Sequence, residues 1–357
     1  MLVAVINSHH GKIPFGGWLR ATFEAVRFCA RKNWRVAASA GIHQWEFLLY
    51  AAATCGCPIK VWVPADFDDS LKAQLIADFN LNVDVQFEHI PGHRGRKDWW
   101  QARDRAIVSA ADVIIPVSVR PGGNMEDLLA EFPNKIYVDR FRVEFEKSRW
   151  KIPSPPAPEE LNPLLKSRKW HYLTHWTHTF YSNWCTESKY QFYESLLNQG
   201  DEYSHSAFKS LVNMLETGRI CATPRKVYGG EKVLSFTALT PAESLKFMRW
   251  RSGLVRRYWE PYGIALDRQT LIELGAQPVR YVKANEIRAI EGKVRKFYHL
   301  RKSRRYRWVE ELEWRLFEDL KLDLVPLGKF FVITRTSAEA WHIARRFGVR
   351  AVGMIEN

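Results

Sequence analysis

The sequence predicts two folded domains: a doubly wound parallel α/β domain, followed by a basic α+β domain. Strand and helix signals alternate through residues 1–148, a proline-rich stretch follows them, and most of the excess positive charge lies beyond that stretch. A chain of 357 residues is long enough for each half to bury its own core.

Short apolar runs separated by helical patterns define the first domain. One helical pattern places Leu19, Phe23, Val26 and Ala30 at spacings of four, three and four. Regular alternation of strands and helices predicts a parallel, doubly wound sheet. The predicted strands are Leu2–Ile6, Arg35–Ala38, Ile59–Val63, Val83–Phe87, Val113–Val117 and Ile136–Val138.

Three loops of this domain follow predicted strands and open helices: Asn7–Gly17, Ser39–Glu46 and Arg120–Leu129. Glycine lets backbone N–H groups approach a phosphate, and a helix N-terminus favours an anion. A single glycine at such a junction is usually structural, but three at the edge where ligands of open α/β sheets bind favour a site. The residues expected to contact a nucleotide are Ser39, Gly41, Gly122, Gly123 and Glu126.

These segments carry a resemblance. SAGIHQWEFLLYAAATCGCPIKVWVP, RDRAIVSAADVIIPV and RPGGNMEDLL are similar to the Rossmann-like superfamily that joins bacterial DNA-processing protein A to the lonely-guy enzymes. The resemblance covers roughly residues 1–140 and implies a nucleotide ligand or a derivative of one. The lonely-guy motif P-G-G-x-G-T-x-x-E is incomplete, because Met125 and Glu126 replace its G-T pair and Leu129 replaces its last Glu. This departure favours binding or sensing, with a nucleotide N-glycosidase using Glu126 as an alternative.

The stretch 149–165 is predicted to be a semi-rigid linker. It contains five prolines, at positions 153, 155, 156, 158 and 163, and proline restricts its own φ and the conformation of the preceding residue. The predicted domains are therefore 1–148 and 166–357.

Positive charge is concentrated in the second half. Residues 1–150 contain 19 Lys and Arg against 17 Asp and Glu, which leaves 34 against 22 for the remainder. Residues 288–307 hold nine Lys and Arg, one acid and interleaved aromatic residues. A phosphate-binding surface for DNA or RNA is favoured over a solvated helix face. Its expected contacts are Arg295, Lys296, Arg301, Lys302, Arg304 and Arg305.

Three predicted strands of the second half carry polar side chains in alternation. WHYLTHWT places His175 and Thr177 on one face, and VLSFTAL does the same for Ser235 and Thr237. In VEELEWRLF, predicted as a strand over Val309–Phe317, the period of two groups Glu311, Glu313 and Arg315. Cross-strand filling and a solvated charged face are the structural alternatives.

The order H-W-T, S-F-T and E-x-E-W-R resembles the ADP-ribosyltransferase fold, in particular toxin-type DNA ADP-ribosyltransferases and abortive-infection proteins. The resemblance implies NAD as substrate, held at its ribose and nicotinamide by His175 and Thr177. It implies that Ser235 and Thr237 support the site, that Glu313 is the catalytic carboxylate, and that Glu311 orients the acceptor or ribose.

The combined expectation is a protein that senses a nucleotide or NAD derivative and consumes NAD through an ADP-ribosyltransferase or NAD glycohydrolase domain. Bacterial antiphage defence is implied by the resemblance alone. A non-catalytic nucleic-acid-binding protein is the main alternative, and a homo-oligomer remains an open option.

Other features bear on location and metals. Five cysteines without a C-x-x-C pair suggest reduced thiols and a cytoplasmic protein. No apolar stretch is long enough for a membrane span, and the start lacks a signal-peptide pattern. His171, His175 and His178 lack an acidic residue to complete a metal site, so no metal is expected.

Overall fold

The structure is a computed structural model that describes residues 1–91, 97–147, 150–224, 230–251, 256–283, 286, 297–300 and 308–356. The chain forms two compact units, each assembled from two stretches of sequence. Unit 1 consists of Met1–Lys151 and Tyr181–Ser204, and unit 2 consists of Ile152–Phe180 and His205–Asn357.

Unit 1 contains a six-stranded parallel sheet in the order β4-β3-β2-β1-β5-β6. All six strands coincide with predicted ones to within a few residues. The α/β prediction for the amino half is therefore confirmed. The strands are β1 (Leu2–Asn7), β2 (Arg35–Ser39), β3 (Ile59–Pro64), β4 (Val85–Ile90), β5 (Val113–Ser118) and β6 (Ile136–Tyr137).

The strand order of unit 1 reverses between β1 and β5. Right-handed crossovers place the helices before and after this reversal on opposite faces of the sheet. The point of reversal is where ligands of open α/β sheets bind, beyond the carboxyl ends of the strands. The helices are α1 (Trp18–Arg31), α2 (His43–Cys55), α3 (Asp69–Phe79), α4 (Lys97–Ala110), α5 (Asn124–Ala130) and α6 (Lys189–Leu197).

Helix α6 extends unit 1 beyond its predicted boundary at residue 148. A capping box between Ser188 and Gln191 starts the helix. Phe192, Tyr193 and Leu196 are then buried in the core of unit 1. These side chains are distant in sequence from the rest of unit 1. Because they are buried in its core, residues 181–204 belong to unit 1 and not to unit 2, which contains the stretches on either side.

The predicted linker 149–165 also differs from the structure. Unit 2 begins at Ile152, and a short 3-10 helix, Pro163–Leu165, lies within the proline-rich stretch. Leu161 and Leu165 are buried in a hydrophobic cluster of unit 2. The stretch therefore packs as part of that unit, because its leucines bury apolar surface that a free spacer would expose.

Unit 2 is built on a mixed seven-stranded sheet in the order β13-β16-β9-β7-β12-β18-β19. Neighbouring strands are antiparallel except for β18 and β19, which run parallel. The sheet strands are β7 (Tyr172–Trp176), β9 (Val233–Thr237), β12 (Gly263–Asp267), β13 (Gln277–Pro278), β16 (Glu313–Phe317), β18 (Phe330–Thr336) and β19 (Ala351–Ile355).

Short strands and helices complete unit 2. Outside the main sheet, strands pair as β8 (Arg219–Ile220) with β17 (Leu320–Lys321), β10 (Trp250–Arg251) with β11 (Arg256–Arg257), and β14 (Arg280–Val282) with β15 (Tyr298–Leu300). In the described stretches of this unit, the α-helices are α7 (Ala207–Glu216), α8 (Pro241–Ser244), α9 (Arg268–Glu273) and α10 (Ser337–Phe347).

The two faces of this sheet pack against different partners. On one face, Leu234 and Phe236 of β9 share a core with Leu211 of α7 and Ile343 of α10. On the other face, Trp176 of β7 and Phe331 of β18 pack with Leu161 and Leu165. Helices thus cover one face and the proline-rich stretch covers part of the other. Unit 2 combines a mixed sheet with separate helices, as an α+β domain does.

The predicted thiol state holds for part of the cysteines. Cys29, Cys55 and Cys57 are free, and burial raises the pKa of Cys55 to about 11. The expectation is wrong for Cys185 and Cys221, whose sulfurs are in disulfide linkage. Within the described ranges, no helix has both the length and the apolar character that a membrane crossing requires.

Candidate functional site

The three polar strand motifs of unit 2 lie side by side. Strand β16 pairs antiparallel with β9, and β9 pairs antiparallel with β7. Glu313 is opposite Thr237, and Arg315 is opposite Ser235. Directly opposed residues of an antiparallel pair point to the same face. The register therefore gathers Ser235, Thr237, Glu313 and Arg315 on one face of the sheet.

Glu311 does not belong to the strand that the sequence predicts. Residues Trp308–Glu311 form a 3-10 turn, and β16 begins only at Glu313. Between them, Leu312 has a φ of 45°, a conformation that a residue with a Cβ rarely adopts and that breaks strand alternation. The Thr237 hydroxyl donates to the Glu311 carbonyl oxygen at 2.5 Å and anchors this turn to β9.

His175 and Thr177 lie on the opposite side of the sheet from Glu313. Thr174 is the residue of β7 opposite Thr237, so the next residue, His175, points to the other face. There it packs edge-on against Phe236, and its Nδ1 donates to the Ser235 carbonyl oxygen at 2.9 Å. The Thr177 hydroxyl bonds to the carbonyl oxygens of Ala207 and Tyr262. The structure therefore does not bring these two residues together with Glu313, because the register of β7 on β9 assigns them to different faces.

The Glu313 carboxylate is held by donors on both oxygens. Oε1 accepts from the Ser235 hydroxyl at 2.9 Å and from Arg315 Nε at 2.8 Å. Oε2 accepts from Arg315 Nη2 at 3.3 Å and from the Tyr281 hydroxyl at 3.4 Å. The Arg315 side chain is 3% exposed and that of Glu313 is 14% exposed, whereas Ser235 is exposed. A ligand could therefore approach the carboxylate from the Ser235 side.

Glu311 is the second carboxyl group of this cluster and is more deeply enclosed, at 3% exposure. Its Oε2 accepts from the Tyr258 hydroxyl at 2.6 Å. Burial, with a smaller contribution from the Glu313 charge, raises the pKa of Glu311 to about 8. A carboxyl group that keeps its proton can take a different chemical role from a neighbouring carboxylate paired with an arginine.

Sequence reasoning missed Tyr258 and Tyr281. Tyr258 follows the short strand β11, and Tyr281 lies in β14, which pairs with β15 rather than with the main sheet. Burial and the charges of Glu311 and Glu313 raise the pKa of both phenols. Neither tyrosine stands at a recognisable spacing from E-x-E-W-R, so the motif gave no signal for them.

The glycine loops of unit 1 are occupied by the chain's own carboxylates. The Gly41 N–H donates to Glu46 Oε1 at 3.0 Å, and the Gly122 N–H donates to Glu126 Oε2 at 2.7 Å. Glu46 also accepts from Lys189 Nζ at 2.7 Å. Burial works against its charged form, but Lys189 and the Gly41 N–H outweigh burial and lower the pKa of Glu46. A phosphate at either glycine would compete with a bound carboxylate.

Ser39 and Gly123 likewise have internal roles. The Ser39 hydroxyl donates to the Trp62 carbonyl oxygen at 2.8 Å and is fully buried. A Cβ on Gly123 would lie 3.1 Å from the Arg120 carbonyl oxygen, so a side chain here would crowd the backbone of the loop itself. The five expected nucleotide contacts thus lie at the carboxyl edge of the sheet. Their hydroxyl, carboxylate and backbone N–H groups already form hydrogen bonds within unit 1.

Other buried polar groups stand at the strand reversal of unit 1. Asn7 and Ser118 are opposite each other at the ends of β1 and β5. Asn7 Nδ2 donates to the Thr22 hydroxyl at 2.9 Å. Within the described part of the chain, Asn7 Oδ1, Ser118 Oγ and His10 Nε2 have no hydrogen-bond partner. The sequence signal for these residues was the polar loop after β1, but only the glycines of that loop supported the predicted site.

His10 is clamped beside these residues. Its ring stacks on Trp18 at 4.7 Å and on Phe145 at 4.8 Å between centroids. Nδ1 donates to the Glu146 carbonyl oxygen at 2.9 Å, which leaves Nε2 as an acceptor in the neutral ring. Burial lowers the pKa of His10 and favours that neutral form. An open groove of about 470 Å³ also lies in unit 1, lined by Gly17 just before α1, by Arg20 of α1 and by Leu196 of α6.

The predicted nucleic-acid contacts, Arg295, Lys296, Arg301, Lys302, Arg304 and Arg305, lie outside the described residues. Among the residues that are described, no group of three or more His, Cys, Asp and Glu could hold a metal ion.

No protein-family model matches this chain, and no curated protein matches it. Among solved structures, the chain is similar to DNA processing protein A from Helicobacter pylori, whose structure is described for its single-stranded DNA binding mode. The identity is 13% and the TM-score 0.29, over 38% of this chain and 61% of that one. A similarity at this level carries no argument about ligands. The Rossmann-like description of unit 1 rests on its own parallel sheet and strand order.

Proposed function

We propose that unit 2 consumes NAD, as an ADP-ribosyltransferase or NAD glycohydrolase, with the Glu313 carboxylate at the centre of its site. The single observation that supports this most is the adjacency of β7, β9 and β16, which puts Ser235 in hydrogen-bond contact with Glu313. The motif residues of β9 and β16 are separated by 78 positions in sequence, and they meet on one face of the sheet.

The chemistry of NAD suits a fixed carboxylate. Breaking the bond between ribose C1′ and nicotinamide leaves the electron pair with nicotinamide and develops positive charge on the ribose. A carboxylate that is already oriented stabilises this charge without reorganising during the reaction. Arg315, Ser235 and Tyr281 provide that orientation. Water or a nucleophile of the acceptor, DNA or RNA in the proposal, then adds to C1′.

Nicotinamide release from NAD by the full chain is the direct test. Glu313→Gln keeps the shape of the side chain and removes its charge, so turnover should fall by about 10²-fold or more. Glu273→Gln, on an exposed position of α9, is the matched control. Turnover in Glu313→Gln equal to that of the control would refute the role of Glu313. No nicotinamide release by the wild type, together with binding to DNA or RNA, would favour the non-catalytic alternative.

We also propose that unit 1 binds a nucleotide or NAD derivative at the reversal of its strand order. Support comes from the buried polar atoms of Asn7, Ser118 and His10, which have no partner in the described part of the chain. An unpaired buried polar atom costs free energy that a ligand can recover. This is also the edge at which ligands of such sheets bind.

Ser118→Ala tests the unit 1 site because it removes an unpaired hydroxyl and leaves the volume nearly unchanged. Calorimetry of the full chain against AMP, NAD and ADP-ribose should show weaker binding than in the wild type, with an unchanged melting temperature. Ser70→Ala, exposed in α3, is the matched control. Equal affinities in the two variants would exclude Ser118 from the site.

A role in antiviral defence rests on the sequence resemblance of unit 2 alone, and phage infection of cells carrying Glu313→Gln would test it.

A further inference from the structure

Glu311 is held in a fixed position beside the Glu313 cluster. Its backbone carbonyl oxygen accepts from Thr237, and its Oε2 is 2.6 Å from the Tyr258 hydroxyl oxygen. Within the described residues, its Oε1 has no hydrogen-bond partner although it is buried. A charged carboxylate in such a place would leave one oxygen unsolvated, which is costly. The enclosure therefore favours the carboxylic acid.

The groups that face Glu311 support the same conclusion. The Tyr258 phenol contacts its carboxyl group, and the charge of Glu313 opposes a second negative charge there. Tyr281 and Arg315 are engaged with Glu313. Arg251 stacks over the Tyr258 ring at 5.2 Å, and its attraction only partly offsets burial. With a pKa near 8, Glu311 holds a proton at neutral pH while Glu313 is paired with Arg315.

A proton donor has no use in releasing nicotinamide. Nicotinamide is cationic in NAD and becomes neutral when the bond breaks, so it leaves without a proton. A purine or pyrimidine on ribose is neutral before cleavage and would leave as an anion. A positioned acid that protonates such a base lowers the barrier to its departure.

We propose that Glu311 and Tyr258 form a proton-donor pair and that the unit 2 site also cleaves ribosides of neutral bases, such as purine nucleotides. This activity rests on the proposed role of Glu313, and it adds a substrate class that NAD chemistry does not require.

The reaction balances as a hydrolysis. The bond between C1′ and the base nitrogen breaks, and its electron pair goes to the base. The base takes the proton that Glu311 carries on Oε1, and the Tyr258 hydroxyl, which donates to Oε2 at 2.6 Å, stabilises the carboxylate that forms. Glu313 stabilises the ribosyl cation, water adds to C1′, and the proton that water loses returns to Glu311. The products are ribose phosphate and free base.

The test compares AMP and NAD as substrates of the full chain, with adenine and nicotinamide release as the readouts. Glu311→Gln retains the shape and a hydrogen bond to Tyr258 but cannot donate a proton. Tyr258→Phe removes the hydrogen bond that stabilises the Glu311 carboxylate, with little change in volume. In both variants, the ratio of AMP to NAD turnover should fall by about 10²-fold. Adenine release by the wild type should also fall about tenfold per pH unit above about 8, where Glu311 loses its proton.

Several results would overturn the inference. NAD turnover without adenine release from AMP would leave the proposed function standing and exclude the added substrate class. Adenine release that survives Glu311→Gln and is lost in Glu126→Gln would assign base cleavage to unit 1. Equal losses of both activities in Tyr258→Phe would mean that Tyr258 only shapes the site. Absence of both activities in the wild type would overturn the inference and the proposed function together.

Discussion

Replacing Glu311 by Gln should change how the stability of unit 2 depends on pH. Burial raises the pKa of Glu311 from its ordinary 4.5 to about 8 in the folded protein. Between these values the unfolded chain has lost the proton and the folded chain retains it, so stability falls as pH rises. One pKa unit corresponds to about 1.4 kcal/mol, so the full loss is on the order of 5 kcal/mol. Gln does not titrate and removes this loss.

The stability of Glu311→Gln relative to the wild type should therefore increase by about 1.4 kcal/mol per pH unit from pH 5 to pH 8. Urea unfolding followed by hydrogen exchange in peptides of β9 and β16 reports unit 2 separately, because two compact units need not unfold together. Glu260, whose pKa burial raises to about 7, titrates in both proteins and cancels in the difference. Glu273→Gln should show no such slope. A difference between Glu311→Gln and the wild type that stays constant with pH would refute the reasoning.

Three further predictions concern other parts of the molecule. Gly263→Ala should destabilise unit 2 by about 1–3 kcal/mol in urea unfolding, since a Cβ there would lie 2.7 Å from the His175 carbonyl oxygen. Gly328→Ala, with open space at its Cβ, is its control, and equal stability of the two would contradict the packing. Lys189→Met should cost unit 1 about 3 kcal/mol by leaving buried Glu46 without its cation, and adding Glu46→Gln should recover most of it. A double variant no more stable than Lys189→Met would argue against a charge effect. Replacing Arg301, Lys302, Arg304 and Arg305 with Gln should flatten the log–log salt dependence of DNA or RNA binding by about two to four units. An unchanged slope would exclude phosphate contacts there.

The fold of unit 1 could be predicted because its signals are local. The strands are short apolar runs. In Val113–Ser118, for example, the side chains on both faces of the strand are buried. Helix α1 buries Leu19, Val26 and Cys29 at helical spacing. Helix α6 has equally clear local signals, but its membership of unit 1 depends on which distant core accepts Phe192 and Tyr193.

The unit 2 site was predicted in part. The pattern of alternation correctly grouped Ser235 with Thr237 and Glu313 with Arg315, because each pair lies within a regular strand. It failed at Glu311, where the positive φ of Leu312 interrupts the strand. One residue with irregular backbone ends the alternation, so the side chain of Glu311 need not share a face with Glu313.

By itself, the sequence determined the six strands and the α/β class of the amino half and the polar motifs on three strands of the second half, since these depend on neighbours a few residues apart. Only the tertiary structure decided the rest. The register of β7 on β9 separated His175 from Glu313, and the position of Tyr258 beside Glu311 created an enclosed acid. Carboxylates of the chain itself filled the glycine loops of unit 1. All three depend on which distant segments meet, and burial then sets the charge of the groups enclosed there.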